Sequence, residues 1–215
     1  MNELMLRITE IFTSLQGETR TVGMPTVFVR LTGCPLRCGY CDSAYAFSGG
    51  HMMAISDILQ QVEAFNPRYV TVTGGEPLAQ KNCLPLLTAL CDKGFEVSLE
   101  TSGAINVAQV DPRVVKVIDI KTPGSGEVER NDYNNFIHLL PQDQIKFVLC
   151  HKADYEWAKN FIEETELTKK VEVLFSPSFK ELSARDLADW IVNDNLPVRM
   201  QIQLHKYLWN DEPGR

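Results

Sequence analysis

The sequence lacks the features that would place the chain in a membrane or on a nucleic acid. No uncharged apolar stretch approaches the length of a membrane span, and residues 1–10 carry Glu3 and Arg7 in place of the apolar core of a signal peptide. Basic residues are also in deficit, with 21 Lys and Arg against 28 Asp and Glu and a formal net charge of −7. Membrane surfaces and nucleic acids require clustered basic residues. We therefore expect a cytoplasmic protein that acts on a small molecule, with neither nucleic acid nor membrane as a partner.

Repeats, low-complexity tracts and linkers are absent as well. The 215 residues are 44% apolar and 23% charged, which is typical of a soluble globular protein. A chain of this length can bury a sizeable core by itself. We therefore expect one domain over residues 1–215.

Short runs rich in β-branched and aromatic residues alternate with amphipathic stretches along most of the chain. Strands are predicted at 27–31, 69–73, 95–99, 114–119, 145–149, 171–175 and 198–204, and helices at 55–65, 84–93, 155–164 and 183–193. Such alternation indicates right-handed crossovers, a mostly parallel sheet and helices outside it. The predicted fold is therefore α/β, an open or partial barrel, with segment 122–135 as a surface loop.

Unusual clusters of glycine, cysteine and polar residues follow the predicted strands. They lie at 33–35, 74–77, 100–103, 119–121 and 176–178. Because the carboxyl ends of parallel strands meet at one edge of a sheet, these segments are predicted to surround one site.

Three of the six cysteines, Cys34, Cys38 and Cys41, form a Cys-x3-Cys-x2-Cys loop. Structural zinc normally takes four protein ligands, and His51 is the only nearby candidate for a fourth. Three thiolates instead suit a [4Fe–4S] cluster, in which one iron stays open for a ligand. We interpret the triplet as a cluster site, with a zinc loop completed by a distant residue, or chance clustering, as alternatives.

The other three cysteines, Cys83, Cys91 and Cys150, are scattered through apolar surroundings. Free cysteine is among the most buried residue types, so these three are predicted to be core thiols.

The cysteine loop and the later segment TGGEP at residues 73–77 resemble the radical S-adenosylmethionine superfamily. The resemblance implies a partial (β/α) barrel and an open iron that chelates the amino and carboxylate groups of S-adenosylmethionine. One electron from the reduced cluster would then release a 5′-deoxyadenosyl radical. It also implies that Tyr40 contacts adenine and that the glycines and Glu76 surround the methionine amino group.

Four further segments are similar to the 7-carboxy-7-deazaguanine synthase family of the queuosine pathway. They are FTSLQGE at 12–18, PTVFVRLTGC at 25–34, CDS at 41–43 and QLHKYL at 203–208. This resemblance implies that the chain converts 6-carboxy-5,6,7,8-tetrahydropterin to 7-carboxy-7-deazaguanine with loss of ammonia. It also implies an external one-electron reductant, flavodoxin-like or ferredoxin-like, and a homodimer.

The same resemblance implies three sets of contacts. Substrate contacts are Leu15, Gln16, Gly17, Glu18, Arg30, Thr73 and His205, with Lys206 helping His205 to close the site. Contacts to S-adenosylmethionine are Tyr40, Cys41, Asp42, Gly75, Glu76, Asp119, Ile120, Lys121, Ser176, Pro177 and Ser178. Ser43 is expected to bind Mg²⁺ together with the substrate, since Mg²⁺ prefers oxygen ligands.

Several positions leave alternatives open. Arg30 is either the partner of the substrate carboxylate or a strand-edge charge, and Ser43 is either a magnesium ligand or the cap of a turn. Segment 100–103 contacts a ligand or caps a helix. Where the family often has glycine this chain has Thr19, and the segments 119–123 and 176–178 also depart from the family pattern. As alternative functions, a glycyl-radical-enzyme activase and a zinc-stabilised binding module remain.

Overall fold

The structure is a computed structural model that describes residues 3–210 together with Glu212 and Gly214. Within these residues, nine strands form one sheet in the spatial order β3-β1-β2-β4-β5-β6-β7-β8-β9. The strands are β1 Met5–Leu15, β2 Pro25–Leu31, β3 His51–Ala54, β4 Tyr69–Gly74, β5 Glu96–Thr101, β6 Val115–Ile120, β7 Gln144–Leu149, β8 Glu172–Pro177 and β9 Arg199–Met200. The two ends of this order do not pair, so the sheet is an open, partial barrel.

The part of the sheet from β2 to β9 is parallel throughout. Its crossovers carry the helices α1 Ile55–Ala64, α2 Cys83–Asp92, α3 Lys152–Thr165 and α4 Ala184–Asn193, and α5 Leu204–Trp209 follows β9. No helix in the described part of the chain is long and apolar enough to cross a membrane. The predicted α/β class with a mostly parallel sheet is confirmed, because apolar runs buried on both faces and amphipathic runs alternate as in other parallel sheets.

The predicted strand at 198–204 is wrong over most of its length. Only Arg199–Met200 pairs with β8, and α5 begins at Leu204. The amide of Gln201 still donates to Phe175 O at 3.0 Å, but the amide of Leu204 donates to Gly17 O at 3.0 Å. The chain therefore leaves the sheet edge to reach the loop that follows β1.

Strands β1 and β3 are missing from the sequence prediction. Both are antiparallel to their neighbours, β1 pairing with β2 and β3 with β1. In β1, Leu6 and Ile8 are fully buried, whereas the later residues are half-buried or exposed. Its register with β2 also shifts between Ile8 and Glu10. In a half-buried strand with a bulge, apolar and polar residues alternate only weakly. The sequence of β1 therefore does not show the pattern that predicts a strand.

The predicted surface loop at 122–135 is partly buried. It contains the 3-10 turns Pro123–Ser125, Val128–Arg130 and Tyr133–His138. The Thr122 hydroxyl donates to Val148 O at 3.0 Å, and the Asn135 amide donates to Gly103 O at 3.1 Å. Most of the segment is exposed or half-buried, as predicted for a surface loop, and Thr122, Ser125 and Asn135 are the buried residues that anchor it to the protein.

The core lies between the sheet and the helices. Cys83 is fully buried and Cys150 is 8% exposed, as predicted for core thiols. Cys91 is only partly buried at the edge of the apolar face of α2, so that part of the prediction was wrong. At the start of α4, Ser183 accepts a hydrogen bond from the amide of Asp186 and caps the helix.

A buried ion pair joins β6 to the turn before β7. Lys116 Nζ lies 2.8 Å from Asp143 Oδ2, and the two side chains are 3% and 0% exposed. The carboxylate also accepts the amides of Lys116 and Leu140, each at 2.8 Å. Both oxygens are therefore committed, and Asp143 is the counter-ion that the described part of the chain provides for the buried ammonium of Lys116.

We expect Asp143→Ala to reduce the free energy of unfolding by about 3–5 kcal/mol, because it leaves the Lys116 ammonium buried without its counter-ion. Denaturant unfolding measures the change. The control is Glu156→Ala, which removes the half-exposed ion pair with Lys152 on α3 and should leave the unfolding midpoint unchanged. Equal effects of the two variants would contradict a structural role for the buried pair.

Candidate active site

A cavity of about 570 Å³ opens at the carboxyl ends of the parallel strands. The loops after β1, β2, β4, β5, β6 and β8 and residues of β7 and α5 contribute to its wall. The predicted site residues that line it are Leu15, Gln16, Gly17, Glu18, Arg30, Cys34, Cys38, Tyr40, Cys41, Asp42, Ser43, Thr73, Gly75, Asp119, Lys121, Ser178, His205 and Lys206. The chain thus brings segments more than a hundred residues apart to one site.

The three cysteines of the loop after β2 all border this cavity and are partly exposed. The loop is held from both sides, since Gly33 N donates to Ala46 O at 2.8 Å and Gly39 N donates to Ser125 O at 3.0 Å. Three thiols on one held loop at a cavity mouth fit a [4Fe–4S] cluster with one open iron.

The glycine loop after β4 packs directly on the cysteine loop. A Cβ at Gly75 would lie 2.4 Å from Gly33 O and 2.7 Å from the Cβ of Cys34. The amide of Glu76 donates to Gly33 O at 2.8 Å. Only glycine permits this approach, which leaves the backbone of Gly75 beside the cluster ligands and open to the cavity.

Burial raises the pKa of Cys38 to about 11 and also raises the pKa of Cys34. Both groups are therefore protonated at neutral pH in the free protein. Iron binds thiolates, so loading of the cluster must displace these protons.

Glu76 faces away from the cavity and into the protein. Its carboxylate accepts the Thr101 hydroxyl at 2.9 Å and the amide and hydroxyl of Ser102 at 2.6 and 2.5 Å. Segment 100–103 is thus an internal partner of the glycine loop. A contact of Glu76 with S-adenosylmethionine stays a prediction.

Three other predicted cofactor contacts also lie within the sheet. Ile120 ends β6, and Ser176 and Pro177 end β8, and all three are buried. Among the described residues that border the cavity, the loop after β8 is represented by Ser178, with Phe179 and Lys180. The roles of Ile120, Ser176 and Pro177 stay predictions.

A cluster of buried charges lines the cavity beside the cysteine loop. Lys146, on β7, is ion-paired with Glu18 and lies 4.0 Å from Asp119, which also pairs with Lys121 at 3.1 Å. Burial opposes the charge of Lys146, but the carboxylates of Glu18 and Asp119 outweigh it and raise its pKa. Oε1 of Glu18 and the hydroxyl of Tyr40 are buried without a hydrogen-bond partner among the described residues. Both residues border the cavity.

The sequence prediction missed Lys146. It stands in QIKFVL, a central strand whose other residues are all buried. A lone lysine in such a run is a signal that could have been used, because a buried ammonium requires carboxylate partners.

Polar side chains of three neighbouring strands form the opposite wall. The Thr73 hydroxyl donates to Glu100 Oε2 at 3.0 Å, and the Gln16 amide donates to Glu100 Oε1 at 3.3 Å. Burial raises the pKa of Glu100. Arg30 borders the same space and is already paired with Glu10 at 2.7 Å. The Arg30 side chain is therefore held in place and is not a solvated edge charge.

The carboxyl-terminal segment covers this wall. Its amide at Leu204 donates to Gly17 O, and a Cβ at Gly17 would lie 2.1 Å from His205 Nδ1. Gly17 therefore leaves the space that the imidazole occupies. Burial lowers the pKa of His205, so the ring is neutral at pH 7.

The same segment is tied to the cysteine loop through Asp42. Its carboxylate lies 2.7 Å from Lys206 Nζ and accepts the Gln203 amide at 3.1 Å. The side chain of Asp42 is thereby engaged by protein groups, and its contact with S-adenosylmethionine stays a prediction.

Thr19, which stands where the family often has glycine, adopts a left-handed backbone with φ of 66°. A β-branched residue is strained in this region, whereas glycine is not. The amide of Thr19 donates to Gln201 Oε1 at 2.8 Å. This bond from the strand-edge segment stabilises the loop despite the substitution.

Ser43 borders the cavity immediately after the last cysteine. It precedes the 3-10 turn Ala44–Phe47, and its hydroxyl makes no capping hydrogen bond to that turn. The nearest polar contact of the hydroxyl is Cys41 Sγ at 3.9 Å. The turn therefore does not depend on this hydroxyl.

Comparison of structures finds a similar fold in other solved proteins. The chain is similar to QueE from Escherichia coli with a TM-score of 0.77, 23% identity and coverage of 94% of this chain and 95% of that chain. It is less similar to SuiB from Streptococcus suis, with a TM-score of 0.56 over 80% of this chain and 46% of that chain. Both likenesses describe the fold.

Sequence comparison gives the family. The Radical SAM superfamily model matches residues 28–118. The 7-carboxy-7-deazaguanine synthase of Chlorobaculum tepidum is 47% identical over 98% of this chain and 97% of its own length. That of Koribacter versatilis is 42% identical over 96% and 98%. The chain therefore belongs to the 7-carboxy-7-deazaguanine synthase family of the radical SAM superfamily.

Proposed function

We propose that this chain is a carbon–nitrogen lyase that converts 6-carboxy-5,6,7,8-tetrahydropterin to 7-carboxy-7-deazaguanine and ammonia in queuosine biosynthesis. The observation that carries the proposal is the convergence of three elements on one cavity. They are the cysteine loop, the glycine loop after β4, and the β1–β2 hairpin with Arg30. The relatives that carry this enzyme name match the chain over nearly its whole length.

The cofactor side of the cavity is the side of the cysteine loop. Cys34, Cys38 and Cys41 would hold the [4Fe–4S] cluster, and a reduced cluster supplies the electron that cleaves S-adenosylmethionine. The amide of Gly75 donates to Leu31 O at 3.2 Å, so its carbonyl is the backbone group that would accept from the methionine amino group of the cofactor. Tyr40 presents a ring near Lys121, whose Nζ lies 5.9 Å from the ring centroid, and this surface suits an adenine.

The substrate side is formed by the hairpin, β4, β5 and the carboxyl-terminal segment. Arg30 can pair with a planar carboxylate through two parallel hydrogen bonds. Gln16, Thr73 and Glu100 offer both donors and acceptors, as the edge of a pterin requires. Neutral His205 closes this side and keeps water from the reacting atoms.

Mg²⁺ belongs to the proposal through Ser43. Its hydroxyl borders the cavity and is not used to cap the following turn. Mg²⁺ prefers oxygen ligands and retains waters, so one hydroxyl with substrate oxygens makes a weak, substrate-assisted site. A cation fixed there would orient the pterin.

The proposal also covers the domain organisation, the oligomeric state, the location and the electron donor of the enzyme. Residues 1–215 form a single radical SAM domain in a cytoplasmic homodimer. An external flavodoxin-like or ferredoxin-like protein supplies the electron, and the product enters a tRNA modification pathway.

The alternative functions are not favoured. A glycyl-radical-enzyme activase has no use for a hairpin and a terminal segment that enclose a small-molecule cavity, and a zinc-stabilised binding module has no use for a cofactor pocket. The test is anaerobic incubation of the reconstituted protein with the carboxypterin, S-adenosylmethionine and a reductant. We expect 7-carboxy-7-deazaguanine by mass. A colourless protein that forms no product would exclude the proposal.

Each cysteine of the loop should be required, because loss of one thiolate leaves an iron without its protein ligand. We expect Cys34→Ala, Cys38→Ala and Cys41→Ala to lose the brown absorbance and the cleavage of S-adenosylmethionine. The control is Cys83→Ala, since Cys83 is buried in α2 away from the cavity. A brown, fully active Cys38→Ala variant would contradict the cluster assignment.

Arg30→Ala should weaken binding of the carboxypterin by roughly 30-fold to 100-fold, as expected when a charge-assisted hydrogen-bond pair is removed. Slow cleavage of S-adenosylmethionine should persist. Calorimetric titration of the cluster-loaded protein measures the affinity. Arg68→Ala, which removes an exposed arginine paired with Glu96, is the control. An unchanged affinity for the carboxypterin would remove Arg30 from the site.

Removal of divalent ions should slow turnover, and added Mg²⁺ should restore it, because the cation orients the pterin. Ser43→Ala should lose most of this response and keep the brown cluster. Ser48→Ala, which changes a serine after the 3-10 turn, should respond as the parent does. If Ser43→Ala also responds as the parent does, the ion is held elsewhere.

A further inference from the structure

Glu10 faces Arg30 across the β1–β2 hairpin. The two residues are partners in the strand register, and Arg30 Nε donates to Glu10 Oε1 at 2.7 Å. The hydroxyl of Tyr45 donates to the same carboxylate oxygen at 2.7 Å. The side chains of Arg30 and Glu10 are 17% and 23% exposed, so this contact is partly shielded from water.

Two aromatic rings constrain the same guanidinium. The Cζ atom of Arg30 lies 5.9 Å from the ring centroid of Phe12 and 5.7 Å from that of Tyr45. Phe12 is itself stacked on Phe28, with centroids 5.2 Å apart. The arginine is thus held at its Nε atom by a carboxylate and flanked by two aromatic rings, of which Phe12 is stacked on Phe28.

The guanidinium of Arg30 can bind Glu10 through one edge and a ligand through another. The group has five N–H donors, and the Nε–H is committed to Glu10, which leaves the four donors on the two terminal nitrogens. Arg30 borders the cavity, whereas Glu10 is not among the described residues that line it. Glu10 therefore lies behind the arginine, and the edge with the terminal nitrogens is the one suited to a planar carboxylate.

Tyr45 connects this cluster to the cofactor side. It belongs to the 3-10 turn Ala44–Phe47, which begins directly after Ser43 and shortly after the last cysteine. The amide of Gly33 also donates to Ala46 O in this turn. The carboxylate of Glu10 thus joins the substrate arginine to the loop that carries the three cysteines.

We propose that Glu10 is a positioning residue that, with Tyr45, locks Arg30 so that its terminal nitrogens receive the 6-carboxylate of the pterin at a fixed distance from the cysteine loop. The inference rests on the proposed function. It assigns to Glu10 the discrimination between pterins that carry this carboxylate and pterins that do not.

Glu10 also has an effect that would weaken the binding of the carboxypterin. As a nearby anion, Glu10 also competes with the substrate carboxylate for the charge of Arg30. If competition dominated, removing the charge would tighten binding of the carboxypterin. If positioning dominates, binding weakens, because a freed guanidinium must be ordered again when the substrate arrives. The direction of the change therefore decides between the two.

The experiment measures dissociation constants by calorimetry on the cluster-loaded protein for two ligands, the carboxypterin and the same tetrahydropterin without its 6-carboxylate. We expect Glu10→Ala to weaken binding of the carboxypterin about tenfold and to leave the second ligand within about twofold, so that the ratio of affinities collapses. Glu10→Gln should keep most of the discrimination, since its amide oxygen still accepts the Nε–H. Tyr45→Phe should lie between the parent and Glu10→Ala.

The matched control is Glu96→Gln, which changes an Arg Nε–Glu Oε1 pair of 2.6 Å at the exposed end of the sheet and should leave both affinities unchanged. Tighter binding of the carboxypterin by Glu10→Gln and Glu10→Ala, or equal weakening for both ligands, would overturn the positioning role. Unchanged affinities in Glu10→Ala would also overturn it. If Glu10→Ala fails to fold, Tyr45→Phe decides, because loss of its hydroxyl bond to Glu10 should lower the ratio of affinities and an unchanged ratio would contradict the proposal. A parent enzyme that binds and converts no carboxypterin would instead refute the proposed function, and the inference with it.

Discussion

The backbones of two loops meet where β2 and β4 lie side by side, and the rest of the site depends on this contact. Gly75 approaches Gly33 and Cys34 so closely that any side chain would collide with them. The contact requires the parallel pairing of β2 with β4, which places both loops at one edge of the sheet. It also holds the backbone of Gly75 beside Cys34, so the protein itself sets the relative position of the two loops.

Near this contact, buried charged side chains are paired with side chains of opposite charge. Lys146 balances Glu18 and Asp119, and Asp119 also pairs with Lys121. Unpaired charges at such depth would titrate or unfold the site. The charges on this side of the cavity are therefore held in pairs by the protein itself.

The sequence predicted the parallel strands and the cysteine loop because their signals are local. Apolar runs, crossovers and the spacing of Cys34, Cys38 and Cys41 need no tertiary information. What it missed depends on distant partners. The place of Lys146 in the cavity is set by Glu18 and Asp119, and the end of β9 is set by Gly17. In both cases the partner residue lies far away in the sequence, so the local pattern of residues does not reveal it.

The two halves of the cavity differ for the same reason. The cofactor side is built from consecutive strand–loop–helix units, each with its own motif. The substrate side joins an antiparallel hairpin at the beginning of the chain to a segment near its end, through contacts such as Leu204 with Gly17. These contacts join residues far apart in sequence, so each of them closes a long loop at a cost in conformational entropy. The Asp42–Lys206 pair then joins the two halves, because it links the carboxyl-terminal segment to the loop of the cluster ligands.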